Sequence, residues 1–347
     1  MNILLTGGTG FIGSHTAVEL LEHGHEVYLI DNLSNSNIDV LEAIKQITGI
    51  KPAFSQIDLR NYEELFGLFD HNKFDAVIHF AGVKAVSESV LNPLKYYDNN
   101  VISSFNLLNC MDKHDVYKLI FSSSATVYGN SEKMPLTEDS PLCPTNPYGK
   151  TKLIIEEMCR DLCSSNPEWS IALLRYFNPV GAHPSGLMGE NPLGIPNNLF
   201  PIIAQVAIGV REKLEIFGND YSTPDGTGIR DYIHVVDLAK GHVNALDYVM
   251  KQKGADVFNL GTGKGYSVLE IVNTFIKQNM VDIPYMFEKR RPGDLAVCYS
   301  DPTKALNILH WKAKKNLEDM CKDSWNFQQH IYYYQKRASA YYSKEEE

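Results

Sequence analysis

Leu4-Leu5-Thr6-Gly7-Gly8-Thr9-Gly10-Phe11-Ile12-Gly13 is the stretch on which the fold turns. An apolar strand over Asn2–Thr6 runs directly into glycines 7, 10 and 13. An amphipathic helix follows, with Ile12, Val18, Leu20 and Leu21 as its apolar side chains. Glycine suits such a turn because it permits a sharp reversal, lets backbone touch a phosphate, and lets the helix pack closely on the strand. The free N–H groups and positive end of the new helix attract a pyrophosphate. A second strand over Glu26–Ile30 ends at Asp31. That is close to the spacing of ~20 residues at which a carboxylate accepts hydrogen bonds from adenosine ribose hydroxyls. A negative charge there repels a 2′-phosphate, which favours NAD over NADP. The plainer alternative for Asp31 is a helix cap.

Outward from this unit, short apolar runs alternate with helical patterns. Strands are expected at Asn2–Thr6, Glu26–Ile30, Ala53–Ile57, Ala76–Phe80, Lys118–Ser122 and Ile171–Arg175, with helices at Phe11–His23, Ile38–Gly49, Tyr62–His71, Pro93–His114 and Tyr148–Ser164. This rhythm predicts an α/β fold with a doubly wound parallel sheet of Rossmann type, its ligand crevice beyond the carboxyl ends of the strands. After Tyr176 the rhythm breaks. Residues 177 to 200 are rich in Pro, Gly and Asn and read as a long functional loop. Beyond it come helices near Leu199–Gly209, Val235–Met250, Val268–Gln278 and Leu317–Tyr332, and strands at Leu214–Phe217 and Asp256–Leu260. Residues 1–176 therefore read as a dinucleotide-binding domain. Residues 177–347 read as a smaller α/β substrate lobe, with segments near 230–260 returning to the first domain. The charged tail, Ser343 to Glu347, reads as a frayed end.

The 347 residues are 44% hydrophobic and carry a net charge of −10, which argues against nucleic acid as a partner because phosphate backbones demand a basic face. Cysteines 110, 143, 159, 163, 298 and 321 form no C-x-x-C pair and no zinc spacing, which suits a reduced, cytoplasmic setting and no metal. Cys159 and Cys163 share a helical face and read as packing residues. The chain enters a core strand at once, so no signal peptide is expected, and no apolar run reaches the ~20 residues of a membrane span.

Two further stretches carry chemistry. Phe121-Ser-Ser-Ser-Ala-Thr-Val-Tyr-Gly129 follows a strand, and Tyr148-Gly-Lys-Thr-Lys152 opens a helix, placing Tyr148 and Lys152 on one helical side. A free tyrosine has a pKa of about 10, so only about one in a thousand is ionised at neutral pH. A nearby lysine ammonium, with a positive nicotinamide ring, would lower that value by roughly 1–3 units. The phenolate could then take a hydroxyl proton while hydride leaves the same carbon, with Ser124 bonded to the same oxygen. The alternative is a surface Tyr and Lys that merely support a helix.

Thr6–Gly13, Asp58-Leu59, His79-Phe-Ala-Gly82, Ser122–Ser124 and Tyr148…Lys152 together resemble the extended short-chain dehydrogenase/reductase family. The likeness is closest to the branch that epimerises UDP-hexoses at C4, and it covers nearly the whole chain. Its most specific stretches are Phe80–Ser89, Leu174–Gly186 and Gly226–His234. The resemblance implies a tightly bound NAD held by Gly7, Gly10, Phe11, Ile12 and Gly13 at the turn and by Asp31, Asn32, Leu33, Ser34, Asn35 and Ser36 at the adenosine. Asp58 and Leu59 would flank the adenine. Phe80, Ala81, Gly82, Val83, Lys84, Asn99 and Phe177 would lie near the rest, with Ser124, Tyr148 and Lys152 at the reacting end. The UDP-sugar would meet Lys84, Tyr176, Asn178, Asn198, Leu199, Phe217, Arg230, Tyr232, Arg291 and Asp294. Guanidinium forks at 230 and 291 suit a pyrophosphate, although surface salt bridges would also explain them. Lys84 could be a solvated lysine, and the asparagines could cap turns.

Cys298 stands where this branch carries either a bulky tyrosine, in enzymes confined to plain hexoses, or a small residue, in those that also accept N-acetylated sugars. A cysteine leaves room beside C2 and implies activity on UDP-GlcNAc and UDP-GalNAc as well; the alternative is a buried small hydrophobe. A 4,6-dehydratase would need an Asp-Glu pair where Ala125 and Thr126 stand, and a non-catalytic NAD sensor would lack the tyrosine or the lysine. His183 and His234, in loop motifs, read as hydrogen-bonding residues rather than metal ligands. Tyr332–Tyr334 with Trp325 and Phe327 read as a packing face. Helices Pro93–His114 and Tyr148–Ser164 carry apolar stripes (Val101, Phe105, Leu108; Ile155, Met158, Leu162), which by resemblance pair across a two-fold in a homodimer and otherwise pack inside one subunit.

Overall fold

The structure, a computed structural model, describes residues 1–131, 133–194, 196–291 and 293–342, so the tail read as frayed lies outside the described residues. Its strands are β1 (Asn2–Thr6), β2 (Glu26–Asp31), β3 (Ala53–Gln56), β4 (Ala76–His79), β5 (Lys118–Ser124), β6 (Ser170–Tyr176), β7 (Asn178–Val180), β8 (Leu214–Phe217), β9 (Ile229–His234), β10 (Gly254–Leu260), β11 (Gly265–Ser267), β12 (Tyr285–Glu288) and β13 (Val297–Cys298). The main sheet has seven parallel strands in the order β10-β6-β5-β4-β1-β2-β3. The order reverses between β1 and β4, and at such a switch point the loops leave in opposite directions and open a crevice.

Alternation along the strands builds two cores. Ile3, Leu5, Ile78, Ile120 and Leu174 face the helices Phe11–Glu22 and Val235–Val249, whereas Leu4, Val77, Leu119, Phe121 and Leu173 face Leu65, Leu107, Ile155 and Cys159. A sheet covered by helices on both faces buries near-continuous apolar runs, as these strands do. A third core, with Phe200, Ile203, Ile216, Ile271, Phe275 and Met320, holds together the helices Leu199–Ala207, Val268–Asn279 and Leu317–Tyr342 and the small β8–β12 pair. Strand β10 belongs to the main sheet, paired with β6 from Gly254↔Ser170 to Leu260↔Tyr176.

Several elements differ from expectation. The stretch expected as one helix over Pro93–His114 is a helix at Pro93–Tyr96, a π-helical turn at Tyr97–Ile102 and a helix at Ser103–Lys113. The cause is visible at Asn100, in the π turn. Its buried side chain accepts from Val83 N–H at 2.8 Å and donates to Val83 O and the Thr151 hydroxyl, both at 3.0 Å. Helix Val86–Leu91 is too short for a periodic signal. The loop read over 177–200 contains β7, which pairs with β9. His234 is not a loop residue: it ends β9 and caps the helix Val235–Val249, accepting from Val236 N–H, with its Nε2 3.1 Å from Asp323. The last helix reaches Tyr342. Phe327 is buried and Trp325 packs on the third core, but Tyr333 is exposed, so the expected packing face is only partial. Likewise Leu108 and Ile155 point into the core, while Ile102 and Phe105 are exposed.

Candidate active site

The carboxyl ends of the main strands open into one crevice of about 2200 Å³ that runs on into the third-core lobe. Every residue expected at the cofactor or the sugar nucleotide lines it, except Leu33. Leu33 instead takes a left-handed conformation (φ 58°) and donates its N–H to Asp31 at 2.9 Å.

The glycine turn is built for close approach. Gly7 (φ +66°) follows β1, and a Cβ there would stand 2.7 Å from the Ala81 nitrogen; a Cβ on Gly13 would stand 2.4 Å from the Gly7 oxygen. Gly10 is the N-cap of the helix Phe11–Glu22, with no side chain capping it. First-turn N–H groups have no partner within a helix, and here they face the crevice. Asp31 caps no helix. Its carboxylate accepts from Thr9 N–H (3.3 Å), Leu33 N–H and the Ser36 hydroxyl (3.1 Å), tying the turn to the loop that follows β2. Asp58 receives the Arg60 fork (3.0 and 2.7 Å) and Asn32 Nδ2 (3.0 Å), and hydrogen bonding to Arg60 holds its carboxyl well below the usual range. A free helix head, a bare glycine cradle and an acid at the second strand fit a dinucleotide.

Deeper in, Asn146 caps the helix Pro147–Ser165 and so sets Tyr148 in its first turn. The Ser124 hydroxyl hydrogen-bonds the Tyr148 phenol and accepts from Thr126 N–H (3.2 Å) and Oγ1 (3.0 Å). Lys152 is buried; its Nζ donates to Ser122 O at 2.7 Å and lies 5.9 Å from the Tyr148 ring centre. Neighbouring serines divide the work because a strand alternates faces. Ser122 hydrogen-bonds the Tyr176 hydroxyl, and Ser123 donates to Glu156 at 2.6 Å. Glu156 is held in turn by both arms of buried Arg175, at 2.8 and 2.5 Å. This locks the helix Pro147–Ser165 to β5 and β6.

Lys152 does not acidify the phenol in the protein alone. Burial raises the Tyr148 pKa, only partly opposed by the Ser124 hydrogen bond, and burial lowers the Lys152 ammonium to about 8. The lysine donates to a carbonyl rather than to the phenolic oxygen, and the expected downward shift includes the charge that a nicotinamide ring would bring.

On the lobe side, Asn178 on β7 sits opposite Tyr232, and Cys298 sits opposite Arg230. Arg291 lies over the Phe217 ring at 5.1 Å and pairs with Asp294 at 2.8 Å, while Arg230 binds its neighbour's carbonyl at 2.8 Å. Cys298 packs beside Phe177 and Val127, and burial pushes its thiol up to about 11. Among the described residues no three His, Cys, Asp or Glu side chains could hold a metal. Sequence reasoning missed Thr9, Arg60, Thr126 and Glu190, all crevice residues. Thr126 and Arg60 adjoin recognised motifs, but Glu190 sits in an aperiodic loop with no local signal.

Comparison with known proteins accounts for this arrangement. The family profile described as GDP-mannose 4,6 dehydratase matches residues 4–324. A UDP-glucose 4-epimerase of Bacillus subtilis (strain 168) is 58% identical over 94% of this chain and 97% of its own. The chain belongs to this family, in its UDP-glucose 4-epimerase branch. Among solved epimerases, that of Stenotrophomonas maltophila with bound NAD and formylated UDP-arabinopyranose superposes with a TM-score of 0.93 at 48% identity, covering 95% of this chain and 98% of its own. A Bifidobacterium longum epimerase in complex with NAD+ and UDP gives 0.92 at 51%, with the same coverage. The UDP-Glc/GlcNAc 4-epimerase of Campylobacter jejuni gives 0.83 at 40%, covering 95% of this chain and 99% of its own.

The Tyr148 environment makes a direct prediction for protein stripped of nucleotide. In an alkaline titration followed at 295 nm, the difference between wild type and Tyr148→Phe should have its midpoint above that of a free tyrosine. Phenolate signal from residue 148 near pH 7 would contradict the burial argument.

Proposed function

We propose that the protein binds NAD tightly and interconverts UDP-glucose and UDP-galactose, and UDP-GlcNAc and UDP-GalNAc, through a 4-keto sugar. The observation that carries this reading is the shared crevice. Tyr148, Ser124 and Lys152 line the same cavity as the uncapped helix head at Gly10 and the two lobe arginines. Gly7 to Gly13 would hold the pyrophosphate of NAD, Asp31 the adenosine ribose, and Asp58 and Leu59 would flank the adenine. When bound, NAD supplies a hydride acceptor and donor and a positively charged ring.

The chain's own groups do the rest. Tyr148 takes the proton from the 4′-hydroxyl and later returns it, with Ser124 hydrogen-bonded to the phenol to hold the proton's path. Lys152 keeps an ammonium in a buried site, where charge counts for more than in water. Because the protein alone raises the Tyr148 pKa, the phenol becomes a base only with added positive charge beside it. Arg230 and Arg291 anchor the diphosphate, Phe217 and the amides at 178 and 198 anchor the uridine side, and the sugar turns about its link to the phosphate. Elimination is disfavoured: Ala125 and Thr126 offer neither acid nor base, and the Thr126 hydroxyl is bonded to Ser124. The unpaired state of all six cysteines suits a reduced, cytoplasmic compartment.

Incubation with UDP-galactose should yield UDP-glucose, and Tyr148→Phe should lose about 10²–10⁴-fold in kcat, the usual worth of a positioned acid–base group. Retained activity in that variant would sink the mechanism. The small side chain at 298 supports the wider substrate range. Cys298→Tyr should abolish turnover of the N-acetylated pair and spare the hexoses; loss of both pairs, or of neither, would contradict it. We also propose a homodimer through the face bearing Ile102 (48% exposed) and Phe105 (54% exposed), apolar groups that a lone subunit leaves in water. Light scattering should show a dimer for wild type and a monomer for Phe105→Glu, whereas a monomeric wild type would refute it.

A further inference from the structure

A carboxylate is a poor neighbour for two diphosphates, yet Glu190 lines the crevice with its side chain only 10% exposed. Its Oε1 accepts two hydrogen bonds, from Lys84 Nζ at 2.9 Å and from Asn198 Nδ2 at 2.6 Å. The two donors come from separate segments of the crevice lining. Lys84 follows β4, where both the dinucleotide and the sugar nucleotide are expected to reach it, and Asn198 opens the helix Leu199–Ala207, on the side expected to hold the uridine diphosphate.

Asn198 supplies the second, independent observation. It occupies the N-cap of that helix, and asparagine is among the best N-caps, worth about 1 kcal/mol over alanine. Yet its side chain makes no cap hydrogen bond. The amide is turned to Glu190 instead, so a capping interaction is forgone to hold this rotamer. One carboxylate oxygen thus fixes two ligand-facing side chains at once, and the Lys84 ammonium offsets the charge that would otherwise repel phosphate.

We propose that Glu190 is a positioning residue that couples the dinucleotide and UDP sites through Lys84 and Asn198. This rests on the functional reading above for the identity of the two ligands. Linkage then requires reciprocity: bound dinucleotide favours UDP, and bound UDP favours dinucleotide, through the same oxygen.

The test uses Glu190→Ala and, to keep the side-chain volume, Glu190→Gln, with UDP as calorimetric probe and NAD retained after gel filtration measured in the denatured eluate. Both variants should bind UDP about tenfold more weakly and retain less NAD, with the loss in turnover falling mainly on KM. Glu190→Ala frees Asn198 to cap its helix, so its melting temperature should not fall with the affinity. In combination with Asn198→Ala, the effect on UDP binding should be far from additive. Unchanged UDP affinity and NAD retention, additive losses, or a lower melting temperature as the sole change would each overturn the proposal. If wild type bound UDP but interconverted no sugars, the functional reading would fail while the binding arms still decided the role of Glu190.

Discussion

Three backbone segments meet at the head of the first helix with no room for a side chain between them. The Cβ positions of Gly7 and Gly13 fall within 2.7 Å of the Ala81 nitrogen and 2.4 Å of the Gly7 oxygen. That contact seats the loop after β4 against the turn after β1, at the place where the strand order reverses. It brings the uncapped end of the helix Phe11–Glu22 to the mouth of the crevice, and it sets the path by which Phe80 to Lys84 reach across it. Every later feature of the site, from Asp31 to Glu190, is placed with respect to that junction.

Around it, the protein separates rigid from adjustable parts. The buried Arg175–Glu156 pair and the Ser123 hydroxyl clamp the helix Pro147–Ser165 to the sheet, and breaking such a pair by removing one member typically costs about 3–5 kcal/mol. Lys84, by contrast, is half exposed, and so is the Arg291 guanidinium that pairs with Asp294. The arrangement suits a site in which the reacting phenol must stay fixed while a sugar reorients. The phenol is also inert by default. Burial disfavours its charged form, so the proposed proton transfer would need positive charge brought beside it.

Much of this was legible in the residues, and for a physical reason: the β-α-β rhythm, the glycine turn and the Tyr148/Lys152 spacing are local patterns with fixed periods. The main-sheet strands through β6 fall within a residue or two of their expected bounds. What escaped depends on distant partners. β7, β9 and β13 are short strands defined by pairing with one another. The π turn around Asn100 exists because Val83 and Thr151 recruit its amide. Leu33 takes a left-handed backbone that donates its N–H to Asp31, a turn set by that side chain rather than by any local period. Helical spacing likewise shows that Tyr148 and Lys152 share a face but not that Lys152 donates to the Ser122 carbonyl. Glu190 had no signal at all.

The proposed cycle requires that hydride leave and return to one carbon within a single, uninterrupted occupancy of the crevice. UDP-galactose carrying deuterium at C4 tests it most directly. The expected product is UDP-glucose with the label retained at C4, even in the presence of excess free NADH. Label lost to solvent, or diluted by the added NADH, would contradict it.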